Sequence, residues 1–246
     1  MKGRAERMEA TVLRLIPYGD DDVIVGFLTP EHGRLSAFAP AARKSVKRFG
    51  TALDLFSLLV IEASPPRSVQ NDLWRLTRVT IEETHLSLRN DLHRFASASY
   101  LAECIWLFAR EGDSQPRLFE WWKKSLMFLG KVPDPVSTSL GLDMELLTLC
   151  GYGPRWNICH ECGREPHGKR FFFSFDQGGI SCESCRKAGE GRWLEPDVVR
   201  MIVAGGALSY KQTETARRAL EEFTTYTLGR QPKSQSFRGE VFRAGG

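Results

Sequence analysis

The chain has 246 residues, of which 42% are hydrophobic and 26% charged, and its 34 basic and 30 acidic residues give a net charge of +4. This composition is ordinary for a globular protein, and the length suits one large domain or two to three small ones. No apolar run approaches the roughly 18 residues that a membrane helix needs, so the sequence predicts no membrane association.

The first 80 residues are predicted to form a small β domain. Short hydrophobic runs alternate with turn-forming residues such as Gly19, Pro30 and Pro65. Five short strands within about 80 residues are typical of a closed barrel such as an OB-fold, with another five-stranded sheet as the alternative. The predicted strands are residues 9–16, 22–28, 34–39, 56–63 and 72–79.

After residue 80 the hydrophobic spacing becomes that of helices, and the segment 151–154, which contains Gly and Pro, ends the third of them. The predicted helices are residues 86–110, 116–129, 140–149, 196–205 and 214–228. The predicted fold class is therefore α+β, with the OB-fold domain (1–80), a helical domain (81–155 and 192–229), a zinc-binding module inserted in it (156–191), and a polar tail (230–246) expected to be disordered.

Four cysteines in two C-x2-C pairs predict a structural metal site. Cys159 and Cys162 form the first pair, and nineteen residues separate it from Cys182 and Cys185. This is the spacing of a closed tetrahedral zinc site, in which four thiolates leave no open coordination position for chemistry. We therefore expect one structural Zn²⁺ ion, with the function residing in the rest of the chain.

The alternative for these cysteines is a pair of disulfides in an exported protein. Arg14 and Pro17 interrupt any apolar core that a signal peptide would need, which argues against export. The expected compartment is therefore the reducing cytoplasm, where thiols stay free to bind metal. His160 and His167 are alternative ligands, but four cysteines already complete the zinc shell.

A basic stretch after the third predicted strand suggests a polyanion partner. Residues 42–49 contain no acidic residue, and the closing aromatic is Phe49. Cations can neutralise phosphates while an aromatic ring stacks on an unpaired base, and a loop at a barrel rim lies near where OB-folds hold single strands. Phe49 is equally suited to filling the bottom of the barrel. The four cations of this stretch are Arg43, Lys44, Lys47 and Arg48.

At these residues the chain resembles the RecO family of bacterial DNA repair and recombination mediators. The run ARKSVKRFGTALDLFSLL is similar to the N-terminal signature of that family. A second run, LDMELLTLCGYGPRWNICHECG, is similar to the helix that leads into the family's zinc module. The order of β domain, helices, cysteine pairs and closing helices also matches, so the resemblance covers residues 8–228.

The resemblance implies a DNA-binding mediator that catalyses no reaction and whose zinc ion is structural. Such a protein binds single- and double-stranded DNA, anneals complementary strands, and works with RecR and the C-terminal tail of SSB to help RecA load. The expected localisation is the bacterial cytoplasm, in association with the nucleoid. Arg43, Lys44, Lys47 and Arg48 match the signature and become the principal candidate DNA contacts, with Phe49 beside them. Weaker candidates from charge and predicted sheet position are Arg14, Arg34, Arg75 and Arg78.

Three other functions fit the same residues. A zinc-ribbon RNA-binding factor of the translation apparatus would share the barrel and the cysteine pairs. A protein adaptor would use both modules as interfaces and would show no salt-dependent DNA binding. A metal-dependent nuclease would use the aspartates at positions 20–22, although a solvated acidic turn is the simpler interpretation of those residues.

Overall fold

The computed structural model describes residues 4–45, 49, 52–66, 73–206 and 208–244. The chain forms two compact units, one of residues 1–133 with 240–246 and the other of residues 134–239. The predicted boundary at residue 80 therefore falls inside the first unit. Within the described ranges, every helix is too short or too polar to cross a bilayer.

A closed five-stranded barrel forms the N-terminal part of the first unit. Its strands are β1 (Glu6–Tyr18), β2 (Asp22–Thr29), β3 (Gly33–Ala39), β4 (Leu58–Ser64) and β5 (Trp74–Glu83). Their order is β1-β2-β3-β5-β4, and β1 pairs with β4 to close the barrel. All neighbours are antiparallel except β3 and β5. This OB-like barrel confirms the predicted fold.

The barrel interior is filled by the alternate side chains of its strands. On β3, for example, Leu35, Ala37 and Ala39 are fully buried while the residues between them are only partly so. Phe49 joins this core with 2% of its surface exposed. The suggested role of Phe49 as a base-stacking residue is therefore corrected: the ring is buried with the apolar residues of the barrel.

Three helices follow the barrel in the first unit: α1 (Leu86–Arg89), α2 (Leu92–Phe108) and α3 (Pro116–Leu129). The sequence predicted one helix over 86–110, but a break separates α1 from α2. Asp91 has an extended backbone and accepts a hydrogen bond from the backbone N–H of Arg94, which makes it the N-cap of a new helix.

The second unit contains helices α4 (Pro135–Leu149), α5 (Pro196–Ala204) and α6 (Tyr210–Leu228) around a small sheet. Strands β6 (Phe171–Ser174), β7 (Gly179–Cys182) and β8 (Gly191–Leu194) form that sheet in the order β7-β6-β8. The cysteine-containing segment is thus inserted between helices, as predicted.

A final helix, α7 (Lys233–Ala244), occupies the segment for which the sequence predicted disorder. The guanidinium of Arg238 is fully buried and lies 2.8 Å from carboxylate oxygens of both Asp143 and Glu221. Further along, the buried ring of Phe242 stacks on His93 at 6.0 Å between centroids. These long-range contacts order a segment whose polar composition by itself favours disorder.

Candidate nucleic-acid interface and metal centre

The four cysteines converge as the sequence predicted. The Sγ atoms of Cys159, Cys162, Cys182 and Cys185 all lie within 4.8 Å of one another, and two of the four residues are fully buried. Zinc–sulfur bonds of about 2.3 Å in a tetrahedron place neighbouring sulfurs just under 4 Å apart, so this donor set suits a zinc ion. Within the described residues, it is the single group of three or more His, Cys, Asp or Glu donors positioned to hold a metal.

Two local turns present the cysteine pairs. In the first, the backbone N–H of Gly163 donates to the carbonyl of Cys159, and the positive φ of 70° at Gly163 suits glycine. In the second, Cys182 ends β7 and a 3₁₀ turn over Glu183–Cys185 returns the chain towards it. Each pair therefore depends on short-range geometry, which explains why its spacing is readable from the sequence.

Hydrogen bonds surround the sulfur atoms and shape their acidity. The Cys182 N–H donates to Cys159 Sγ at 3.4 Å, and the His167 N–H donates to Cys182 Sγ at 3.5 Å. The backbone N–H of Arg164 is the main cause that lowers the pKa of Cys162 to about 7, whereas burial raises the pKa of Cys182 to about 11. Burial disfavours the negatively charged thiolates, and a bound metal cation would compensate for that cost.

The histidines beside the cysteines are not part of the donor group. His167 Nδ1 lies 3.2 Å from Cys182 Sγ, a position that orients a ligand instead of replacing one. His160 pairs with the neighbouring Glu161, 3.3 Å away. The four-cysteine interpretation therefore holds over the alternative with a histidine ligand.

The basic loop after β3 is held by the acidic turn between β1 and β2. Lys44 Nζ lies 2.6 Å from Asp21 Oδ2, and the backbone N–H of Arg43 donates to the Asp21 carbonyl at 3.0 Å. The carboxylate of Asp22 accepts from the backbone N–H of Ala41 at 2.7 Å, where the backbone φ is 53°. Arg43 and Lys44 remain exposed, while Lys47 and Arg48 lie outside the described residues.

These contacts assign the aspartates a role other than metal binding. Asp21 pairs with a lysine and Asp22 caps the backbone of the basic loop, so both carboxylates are engaged with protein groups. Neither belongs to a cluster of metal donors in the described part of the chain. The geometry therefore favours a turn that supports the loop over a nuclease centre.

Arg14 and Arg34 both lie over the ring of Trp106. Their guanidinium carbons lie 4.5 and 5.1 Å from the Trp106 ring centroid, and Arg34 also donates to the Trp106 carbonyl at 3.2 Å. Gly26 makes room for this, because a Cβ there would collide with the ring and with Arg14. Burial, followed by the charge of Arg34, lowers the pKa of Arg14. The two arginines therefore join α2 to the barrel.

Arg75 and Arg78 are exposed on β5 and form no ion pair within the described ranges. Arg75 stands opposite Phe38 in the parallel pairing of β3 with β5. Phe38 in turn contacts Tyr18 in an edge-to-face arrangement at 5.9 Å, and Tyr18 is 56% exposed. This aromatic pair was not among the predicted site residues, although the position of Tyr18 at the outer end of an alternating strand was a usable signal.

The structure thus gathers one cationic and aromatic surface at an end of the barrel. We call it the barrel surface: Tyr18, Phe38, Arg43, Lys44 and Arg75. Cations suit phosphate, and exposed rings suit unpaired bases.

Comparisons with known proteins agree with this architecture. The family model described as "Recombination protein O N terminal" matches residues 1–85, and that described as "Recombination protein O C terminal" matches residues 89–236. A DNA repair protein RecO from Desulfatibacillum aliphaticivorans is 33% identical over 95% of this chain and 96% of its own. Proteins of the same name from Pelobacter propionicus and Myxococcus xanthus are 36% and 32% identical, over 76% and 95% of this chain and 74% and 96% of their own.

Proposed function

The chain belongs to the RecO family of DNA repair proteins, and we propose that it binds single- and double-stranded DNA and anneals complementary strands without catalysing a reaction. The observation that carries this proposal is the barrel surface, which combines exposed cations with an aromatic pair whose Tyr18 ring is exposed. Lys47 and Arg48 continue the same basic stretch in sequence and belong to the proposed contact.

Annealing requires that two polyanions approach each other. Arg43, Lys44 and Arg75 lower the repulsion between strands by replacing condensed counterions, so binding should weaken steeply with salt. Contacts to phosphate leave the base edges available for pairing and give little sequence preference. The exposed ring of Tyr18 supports an unpaired base by stacking, which tolerates any base.

The proposed metal is a single zinc ion held by Cys159, Cys162, Cys182 and Cys185. Bound zinc would supply a cross-link between two turns of the chain, with no position for water or substrate. The strands β6, β7 and β8 have four residues each and are too short to be stable alone. We infer that two contributions stabilise them together: the metal, and the packing of Phe173 on Phe223 of α6, with 5.2 Å between ring centroids.

The proposed partners follow from the family. We infer that the protein acts with RecR and the C-terminal tail of SSB so that RecA loads on coated strands. With these partners, the protein would act in the cytoplasm, in association with the nucleoid.

The proposal is tested by measuring how fast the purified protein anneals complementary oligonucleotides, bare and SSB-coated, in the absence of ATP. The variant R43Q/K44Q/K47Q/R48Q should bind single strands at least tenfold more weakly near 0.1 M salt and have a flatter salt dependence. A control with the same charge loss on exposed helical positions, R117Q/K124Q/R200Q/K211Q, should lose much less. Equal losses in the two folded variants would refute the loop assignment, and tighter binding to ribosomal RNA than to DNA would favour the translation factor.

A further inference from the structure

The sheet of β6, β7 and β8, which we call the zinc sheet because β7 carries Cys182, has an aromatic face that the proposed function does not use. Phe172 and Trp193 are directly paired across β6 and β8, with ring centroids 5.2 Å apart in an edge-to-face arrangement. Phe173, the next residue on β6, instead packs on Trp156 and Phe223 on the other face. A Cβ at Gly191 would collide with the Phe172 ring, so glycine there lets this ring lie against β8.

Two arginines cover this aromatic pair. The guanidinium carbon of Arg170 lies 4.1 Å from the Trp193 ring centroid, and that of Arg186 lies 4.4 Å from the Phe172 centroid. Arg186 is also 5.7 Å from the Trp193 centroid. Both arginines are exposed. Stacking on the rings already restrains their side chains, so less rotamer freedom is lost when they bind a ligand.

The stacked guanidinium groups keep hydrogen-bonding capacity. Arg170 uses its Nε to bond Glu183 at 2.9 Å, and no bond from its two terminal nitrogens is present within the described residues. Over the same part of the chain Arg186 has no carboxylate partner. A guanidinium that stacks by its face still has N–H groups in its plane, the geometry that binds phosphate oxygens in pairs.

Two lysines accompany these arginines along the chain. Lys169 and Lys187 adjoin the two arginines in sequence, and Lys187 pairs with Glu161. Arg170 in turn pairs with Glu183 through its Nε, while Arg186 is a cation of this stretch with no carboxylate partner among the described ion pairs that involve these residues.

We propose that Arg170 and Arg186, the sheet arginine pair, form a second phosphate-binding site for the DNA backbone on the zinc sheet. The proposal rests on the function proposed above and extends DNA contact to the second unit. Trp193 and Phe172 hold the two guanidinium groups, and Arg186 directly follows Cys185 of the metal centre. Binding at this site forms and breaks no covalent bond.

The experiment measures binding of fluorescein-labelled dT oligonucleotides to the full chain over a salt series. R170Q/R186Q should bind about tenfold more weakly near 0.1 M salt, with the salt slope reduced by about 1.4 if each arginine neutralises one phosphate. The control R200Q/K211Q removes the same charge from exposed positions on α5 and α6 and should change affinity less than twofold.

A second variant is expected to bind the oligonucleotide more tightly, a result that misfolding would not produce. Glu183→Gln removes the carboxylate that competes for Arg170, leaves the rings covered, and should tighten binding about two- to fivefold. Wild-type zinc content and thermal stability in R170Q/R186Q, with affinity equal to that of R200Q/K211Q, would overturn the sheet site while leaving the barrel surface intact. Absence of oligonucleotide binding by the wild-type chain would overturn both.

Discussion

Lys44 and Asp21 form an ion pair, with 2.6 Å between Nζ and Oδ2, that ties the basic loop of the barrel to the turn between β1 and β2. The lysine side chain is 74% exposed, and ion pairs at such positions contribute under about 1 kcal/mol to stability. A phosphate group can therefore displace the carboxylate at little cost. In the DNA-free protein, Asp21 occupies the place that we assign to the DNA backbone.

Asp21→Asn is expected to strengthen oligonucleotide binding by about two- to fivefold at low salt, because Lys44 then has no carboxylate to exchange for phosphate. Fluorescence anisotropy with a labelled single strand measures this. Asp113→Asn, which removes a charge paired with Arg110 at 4.0 Å, is the control for net charge. Equal affinities for the two variants would show that the Lys44 pair does not compete with DNA.

Arg34→Gln and Arg78→Gln are expected to separate stability from DNA binding. Arg34 stacks on Trp106 and donates to its carbonyl, so its loss should lower the free energy of unfolding by about 1–3 kcal/mol while DNA affinity stays within twofold. Arg78 is exposed on β5, so its loss should leave stability nearly unchanged and weaken DNA binding. Urea denaturation measures the stability of both variants, and fluorescence anisotropy measures their DNA affinity. The reverse pattern would indicate that Arg34 contacts DNA.

Cys182→Ser is expected to remove zinc and destabilise the second unit before it alters annealing. Three thiolates and a hydroxyl hold the metal more weakly, and the short strands then lose their cross-link. Metal content from a chromogenic chelator and thermal denaturation measure the two effects. Cys150→Ser, at a position outside the donor group, is the matched control and should keep its zinc. Lost annealing together with wild-type thermal stability would instead indicate a functional metal.

Asp143 is expected to make stability depend on pH. Burial raises its pKa from 3.8 to about 6 against the opposing charge of Arg238, with Glu221 and Arg217 also nearby. Between about pH 4 and pH 6 the folded protein keeps a proton that the unfolded chain releases. This group therefore makes the free energy of unfolding fall as pH rises through that window, by at most about 3 kcal/mol, and contributes no slope outside it.

Asp143→Asn removes this titration. Urea denaturation from pH 4.5 to pH 8 should show the wild type losing stability relative to the variant up to about pH 6, and a constant difference above it. Parallel profiles over the whole range would mean that Asp143 stays ionised beside Arg238 throughout.

Local signals predicted most of the fold. Hydrophobic alternation and turn residues located all five barrel strands, and the bounds of α3 were predicted as they are observed, because Pro116 begins it and Gly130 follows it. The start of α4 was placed five residues too late, although Asp134 and Pro135 carried the signal: the Asp134 carboxylate accepts from two backbone N–H groups of the first turn.

Contacts between distant residues could not be read from the sequence. Arg34 and Trp106 are 72 positions apart, so nothing local showed that this arginine of the barrel would stack on a tryptophan of α2. Arg238 and Asp143 are 95 positions apart, and their pairing orders α7. The cysteines were predictable because each pair lies within one turn, whereas the direction in which Phe49 points depends on how the barrel closes.

The residue order of the two compact units has a consequence for synthesis on the ribosome. The first unit takes residues 240–246 from beyond the whole of the second unit, and Phe242 supplies the ring that stacks on His93. His93 therefore leaves the ribosome long before its neighbour does. The ribosome must therefore synthesise every residue of the second unit before the amino-terminal unit can acquire the last of its packing.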